Sequence, residues 1–286
     1  MDKNVNFKIH FFTPKTLAMA SIALFAGAIP VNYDTYLGPI LFEPYALDLV
    51  ERLKAEKVEH VLELACGTGR VTKHLVEIVP AEGSLTATDL NQGMMEVAQS
   101  KIQNEKVFWS TVDAQDLPFY NGQFDHIVCQ FGVMFFPDKE KSFKEAHRVL
   151  KPGGKYIFST WESVDKSPRI DLMWKVIYDV FGSESPDFLQ KGPHSFFDKN
   201  EIEQLLSRAG FKNIRIETVA KTPKYNSPDD LIKGFTEGSP LTNYLAEKGE
   251  EAQKEFKKRL KEALAEQDKI FGDTVPILAL VIEATK

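Results

Sequence analysis

The chain has 286 residues, 43% hydrophobic and 27% charged, with a formal net charge of −6. That length buries one large α/β core, with or without a modest second subdomain. The acidic balance argues against a nucleic-acid partner, whose phosphates demand a clustered basic surface. Cys66 and Cys129 are too few for a disulfide framework and lack close His or Cys neighbours. No metal site is therefore expected, and a reducing compartment fits.

In chain order, Lys8 and Lys15 precede an apolar run over 17–29, and Ala26-Gly27-Ala28 has the small-x-small form of a signal-peptidase site. The run is too short to cross a bilayer, so no stable membrane insertion is expected. A secretory leader, a translation start at Met19, and an uncleaved segment belonging to the fold are three readings of this 1–29 extension. From Pro30 onward the pattern is that of a folded domain. Phe42, Tyr45, Ala46, Leu49, Val50 and Leu53 recur at helical spacing, with Pro44 suited to a first turn. They predict an amphipathic helix just ahead of the first strand.

Apolar strand-like runs then alternate with helical patterns, the signature of βαβ units and a mostly parallel sheet with helices on both faces. Strands are predicted over 60–64, 84–89, 107–112, 124–131, 155–160, 213–219 and 276–284. Helices are predicted over 69–78, 93–104, 139–150 and 199–209, with Lys151-Pro152-Gly153-Gly154 as a helix stop and turn. Two aromatic-bearing insertions, 164–197 and 223–273, stand outside the alternation and read as a lid over a small-molecule pocket. The charged run 247–269 reads as the solvated face of a long helix.

The densest chemical signal is Val61-Leu62-Glu63-Leu64-Ala65-Cys66-Gly67-Thr68-Gly69-Arg70, a strand entering a glycine turn that opens a helix. Gly67 and Gly69 permit a tight turn and a close ligand approach. Asp89 ends the second strand, where an acid accepts hydrogen bonds from both hydroxyls of a ribose. Asp113 ends the third, where its carboxylate and the Ala114 N–H suit the edge of an adenine. Glu63 ends the first and suits an ammonium group. Thr72 stands where a dinucleotide fingerprint wants its third glycine, and Glu63 opposes an anionic ligand, so an NAD(P)-dependent oxidoreductase is the weaker alternative.

The ordered set Glu63-Leu-Ala-Cys-Gly67-Thr-Gly69-Arg, Thr88-Asp89-Leu-Asn91-Gln-Gly-Met94, Asp113-Ala114-Gln115-Asp116-Leu-Pro118-Phe119 and Arg148-Val-Leu-Lys-Pro152-Gly153-Gly154 resembles the class I methyltransferases dependent on S-adenosyl-L-methionine (SAM). It is most similar to the type 11 branch, related to quinone-biosynthesis methyltransferases. The resemblance covers 30–286 and implies a Rossmann-like seven-stranded sheet whose last strand is antiparallel and inserted beside the edge. It implies that Glu63, Gly67 and Gly69 frame the methionine part of SAM and that Asp89 holds the ribose. Asn91 and Met94 would flank ribose and adenine, and Asp113 and Ala114 would read the adenine edge. Gln130 and Phe131 would lie by the sulfonium, under a cover of Tyr33 and Tyr36.

The expected activity is methyl transfer by in-line displacement to a small apolar or aromatic acceptor. SAM is held in the cytosol, so a cytoplasmic location is expected. A non-catalytic SAM-binding or interaction module is the rival from another class. The family has no fixed catalytic residue. Of the other candidates, Cys66 sits in the cofactor turn, His126 reads as structural and His147 as part of a polar cluster with Glu145 and Arg148. His194, Tyr225 and Trp161 are placed to face substrate. Neither the acceptor nor the oligomeric state is legible.

Overall fold

The computed structural model describes residues 25–286 apart from 55, 223, 226, 273 and 274, and omits the side chains of 189 and 190. The leader, start-site and retained-segment readings of the N-terminus therefore fall mostly outside the described residues. The chain enters through a short helix α1 (Ile29–Asn32), a ten-residue π-helical segment (Tyr33–Phe42) and helix α2 (Glu43–Leu53). The sequence pattern predicted only the last of these. In α2 the expected face, Tyr45, Ala46, Leu49, Val50 and Leu53, is buried. A fully buried leucine contributes about 1.5–3 kcal/mol, so this face holds the N-terminal segment down.

The strands are β1 (His60–Leu64), β2 (Ser84–Asp89), β3 (Val107–Thr111), β4 (Phe124–Gln130), β5 (Leu150–Trp161), β6 (Lys212–Lys221) and β7 (Ile277–Thr285). They form one sheet in the order β3-β2-β1-β4-β5-β7-β6. Contacts among the first five are parallel, and β7 runs antiparallel between β5 and β6, as the resemblance implied. Between β1 and β4 the strand order reverses. The carboxyl ends of the strands around such a reversal are where open α/β sheets bind ligands.

The crossover helices are α3 (Thr72–Ile78), α4 (Gln92–Lys101), α5 (Lys139–Val149) and, after the first insertion, one over Lys199–Arg208. Helix α3 starts three residues later than predicted, because Gly67 and Gly69 take φ of 55° and 79°, the left-handed region that breaks a helix. The predicted stop at 151–154 is instead a bulge inside β5. Pairing with β4 shifts register between Phe124 and His126, and Gly153 takes φ 78°.

The first insertion folds into α6 (Pro168–Phe181) and the single turn α7 (Phe188–Lys191), so Lys199–Arg208 is α8. The second forms α9 (Pro228–Glu237), α10 (Leu241–Lys248) and α11 (Glu250–Phe271). The charged helix α11 is solvated along one side, while Phe256, Leu260 and Leu264 are buried on the other. Among the described residues no helix is long and apolar enough to cross a membrane.

Candidate active site

Strain gathers at the carboxyl ends of β1 and β4. Ala65 and Phe131, each one step past its strand, take left-handed φ of 53° and 52°. Such conformations cost about 1–3 kcal/mol and persist where the surroundings enforce them, often at functional sites. Gly132 shows how close the two ends come. A Cβ there would stand 2.5 Å from the Ala65 Cβ and 2.7 Å from the Cys129 sulfur.

The glycine turn is organised by Asp89. Its Oδ2 accepts the Gly67 N–H at 2.7 Å and its Oδ1 accepts the Asn91 N–H at 2.7 Å. Each carboxylate oxygen keeps a further lone pair. Burial pushes the Asp89 carboxyl up from its ordinary value, against the pull of the backbone N–H groups. Asn91 then caps α4, its Oδ1 accepting the Met94 N–H at 3.2 Å, an arrangement worth about 1 kcal/mol. Met94 lies 3.7 Å from where a Gly67 Cβ would be, so the two frame one small space.

Glu63 is the least satisfied group in this region. It is 1% exposed, and its Oε2 is buried with no hydrogen-bond partner. Burial, with the like charge of Asp89 adding to it, pushes its carboxyl up to about 8. Beside it, Thr72 opens α3, and its hydroxyl and backbone N–H pull the Glu63 carboxyl the other way without offsetting burial. At the end of β3, Asp113 accepts the Gln115 N–H at 2.9 Å and the Gln115 side-chain amide at 3.0 Å, with Ala114 buried between them.

The π-helical segment is pinned over this edge by charges that pattern reading did not reveal. Asp34 accepts the Thr68 hydroxyl at 2.8 Å, the Arg70 guanidinium at 2.8 Å and the Lys101 ammonium at 2.7 Å. Although burial opposes it, these partners hold the Asp34 carboxyl below its ordinary range. Arg70 also meets Glu43, which binds Lys73 and His74. Gly38 makes room, since a Cβ there would overlap the Arg70 guanidinium at 2.1 Å. The only sequence signal for this clamp was the Asn32-Tyr33-Asp34-Thr35-Tyr36 cluster itself.

Past this clamp lies a cavity of about 490 Å³. Its walls are Leu37, Leu41 and Phe42 of the entering segment, Phe131 and Trp161 from the strand ends, and Ile170, Met173, Phe188, Phe235 and Leu241 from the two insertions. Phe131 stacks on Trp161 at 3.7 Å and 9°. Tyr33, also in the wall, stacks on Phe42 at 4.7 Å. Burial raises the Tyr33 phenol, with Arg70 opposing and the charges of Asp89 and Asp34 adding to it. Tyr36 turns instead toward Lys233 of α9, whose ammonium lies 5.5 Å from its ring, and is not in the wall. Gln130 is occupied by the Phe42 carbonyl, to which its amide donates at 2.9 Å. Among the described residues, Lys139, Lys191 and His194 are the titratable side chains in the wall besides Tyr33, and no Asp or Glu lines it.

Three comparisons bear on what this geometry is. The model of the ubiE/COQ5 methyltransferase family matches residues 45–222. A demethylmenaquinone methyltransferase of Staphylococcus epidermidis is 30% identical over 203 residues, 66% of this chain and 84% of that one. Among solved structures, a Haemonchus contortus phosphoethanolamine N-methyltransferase superposes with TM-score 0.57 at 18% identity, over 96% of this chain and 57% of that one. The YcgJ protein of Bacillus subtilis gives 0.55 at 18%, over 85% and 98%. The fold and the family match define a SAM-dependent methyltransferase. The chain belongs to the ubiE/COQ5 methyltransferase family. The oxidoreductase alternative falls with that membership.

Proposed function

We propose that the protein transfers a methyl group from SAM to a hydroxylated aromatic acceptor with an apolar body, a quinol, in the cytoplasm. The observation that carries the reading is the aromatic cavity, walled by both insertions and, among the described residues, free of acids, together with the buried Glu63 carboxyl whose Oε2 lacks a partner. The relatives named for demethylmenaquinone point the same way. An amine acceptor such as phosphoethanolamine suits the site less well. The wall carries the cations Lys139 and Lys191 and, among the described residues, no carboxylate to pair with an ammonium group.

The residues present fit SAM. Glu63 Oε2 needs a cationic partner, which an amino-acid ammonium supplies. The spare lone pairs of Asp89 suit a ribose diol, and Gly67 leaves its approach open. Asp113 with the Ala114 N–H suits an adenine edge, with Asn91 and Met94 flanking. Gly69 shapes the turn, and Phe131 and Gln130 would stand beside the transferable methyl. Tyr33 forms the cover, with Tyr36 behind it against α9. When bound, SAM supplies an activated methyl group on a sulfonium. The protein's share is to align the acceptor with that methyl and keep water away, tasks that suit the stacked Phe131, Trp161, Tyr33 and Phe42 and the two insertions acting as a lid. Cytosolic supply of SAM supports the location.

The test uses methyl-labelled SAM with purified protein and reduced naphthoquinones with and without a short prenyl chain. Label is expected in the quinol. Burial contributes about 0.8 kcal/mol per methylene, so the prenylated ring should show at least a tenfold higher kcat/KM. Label passing to phosphoethanolamine and to no quinol would overturn the reading.

A further inference from the structure

We propose that His194 is the general base that takes the acceptor's hydroxyl proton. The assignment rests on the quinol reading above and concerns a residue whose role the family pattern leaves open. His194 lies between α7 and α8, is 5% exposed, and forms part of the cavity wall within 6.2 Å of the Trp161 ring. Its Nδ1 lies 2.7 Å from the Glu162 carbonyl oxygen, an atom that only accepts. Nδ1 must therefore carry the proton, which leaves Nε2 with a lone pair. Among the described residues Nε2 has no hydrogen-bond partner, so the basic nitrogen is the one left for the cavity.

The charged surroundings favour the neutral ring. Lys139 and Lys191 share the wall, and Tyr33 faces across it as a protonated phenol. Glu162 offers its carbonyl rather than its carboxylate, which instead takes the Ser163 N–H and meets Lys166. The cavity residues of α6, α9 and α10 are Ile170, Met173, Phe235 and Leu241, all uncharged. Burial lowers the imidazole from its ordinary value, with the Glu162 carbonyl pulling weakly the other way. The ring is thus ready to accept a proton at neutral pH.

The acceptor's O–H bond breaks and its proton passes to His194 Nε2. The freed electron pair forms a new bond to the methyl carbon, from the oxygen or through the ring from the ortho carbon. The carbon–sulfur bond breaks, and its electron pair stays on sulfur, giving neutral S-adenosylhomocysteine. Where ring carbon is the nucleophile, its C–H proton then leaves to solvent while His194 Nε2 returns its proton to the oxygen, which restores the aromatic hydroxyl and the neutral imidazole. Lys139, half-buried with its ammonium 5.2 Å from the Phe196 ring, is a cation in the wall that can face the aryloxide.

The decisive variant is His194→Asn, whose amide keeps the donor toward Glu162 and loses the base. General-base removal costs about 10²–10⁴-fold in rate. The kcat of H194N on a quinol should fall by that factor, with SAM affinity by calorimetry unchanged. The acidic limb of the wild-type pH–rate profile, expected below pH ~6.5 because the folded pKa is lowered, should disappear. Independently of any acceptor, nitrogen NMR of the wild type should show an Nδ1–H ring at neutral pH. Quinol turnover by H194N within threefold of wild type, or an Nε2–H ring, overturns the assignment. If the wild type methylates no quinol, the functional reading fails and the ring tautomer alone decides the role of His194.

Discussion

Replacing Asp89 with Ala should weaken SAM binding by roughly 10- to 150-fold, the range set by losing hydrogen bonds of about 1.5–3 kcal/mol to a charged group. Two effects act together. The ribose hydroxyls lose their acceptor, and the Gly67 and Asn91 N–H groups lose the carboxylate that sets the glycine turn. Asp89→Asn separates them, because its remaining oxygen still accepts one of these donors. Its affinity should fall between wild type and D89A. Titration calorimetry reads both variants, with thermal melting to confirm that each is folded. Unchanged affinity in folded D89A would remove Asp89 from the cofactor site.

The second large effect is a coupling between SAM and pH. Glu63 in the free protein titrates near 8 rather than at its ordinary 4.5, chiefly because burial disfavours its charged form. A raised carboxyl contributes stability that is fully present below the unfolded value and is lost as pH rises through 8. At pH 7 the free protein therefore holds Glu63 mostly protonated. An ammonium against Oε2 favours the carboxylate, so binding near pH 7 should release up to about one proton. Affinity should rise between about pH 6 and 8. Calorimetry in buffers of different ionisation enthalpy measures the release. Glu63→Gln should abolish it and cost at least about tenfold in affinity, the worth of one charge-assisted bond. Binding that releases no proton would show that Glu63 does not meet the ammonium.

Much of the scaffold was legible because central parallel strands announce themselves as short apolar runs. The runs at 60–64 and 84–89 match β1 and β2 residue for residue. The acids at their ends could be located from spacing alone. What escaped was whatever depends on non-local geometry. The π-helical segment has no 3.6-residue period, and Pro39 within it reads as a breaker. The Asp34–Arg70–Lys101 clamp joins residues up to 67 positions apart. Cavity walls drawn from Phe25 to Ile277 leave no contiguous motif. Tyr33 and Tyr36 looked equivalent in sequence, yet three residues along this segment carried Tyr36 to Lys233 and left Tyr33 on the cavity. His194 could be noticed but not assigned, because its role turns on which ring nitrogen the Glu162 carbonyl engages.

We propose that the acids at three strand ends orient SAM so that its methyl enters the aromatic cavity past Phe131. A crystal structure with S-adenosylhomocysteine tests this most directly. The amino group is expected on Glu63, both ribose hydroxyls on Asp89, the adenine edge at Asp113 and Ala114, and the sulfur beside Phe131 facing the Trp161 and His194 wall. A ligand bound with its sulfur turned away from that cavity, or with Glu63 still unpartnered, would contradict it.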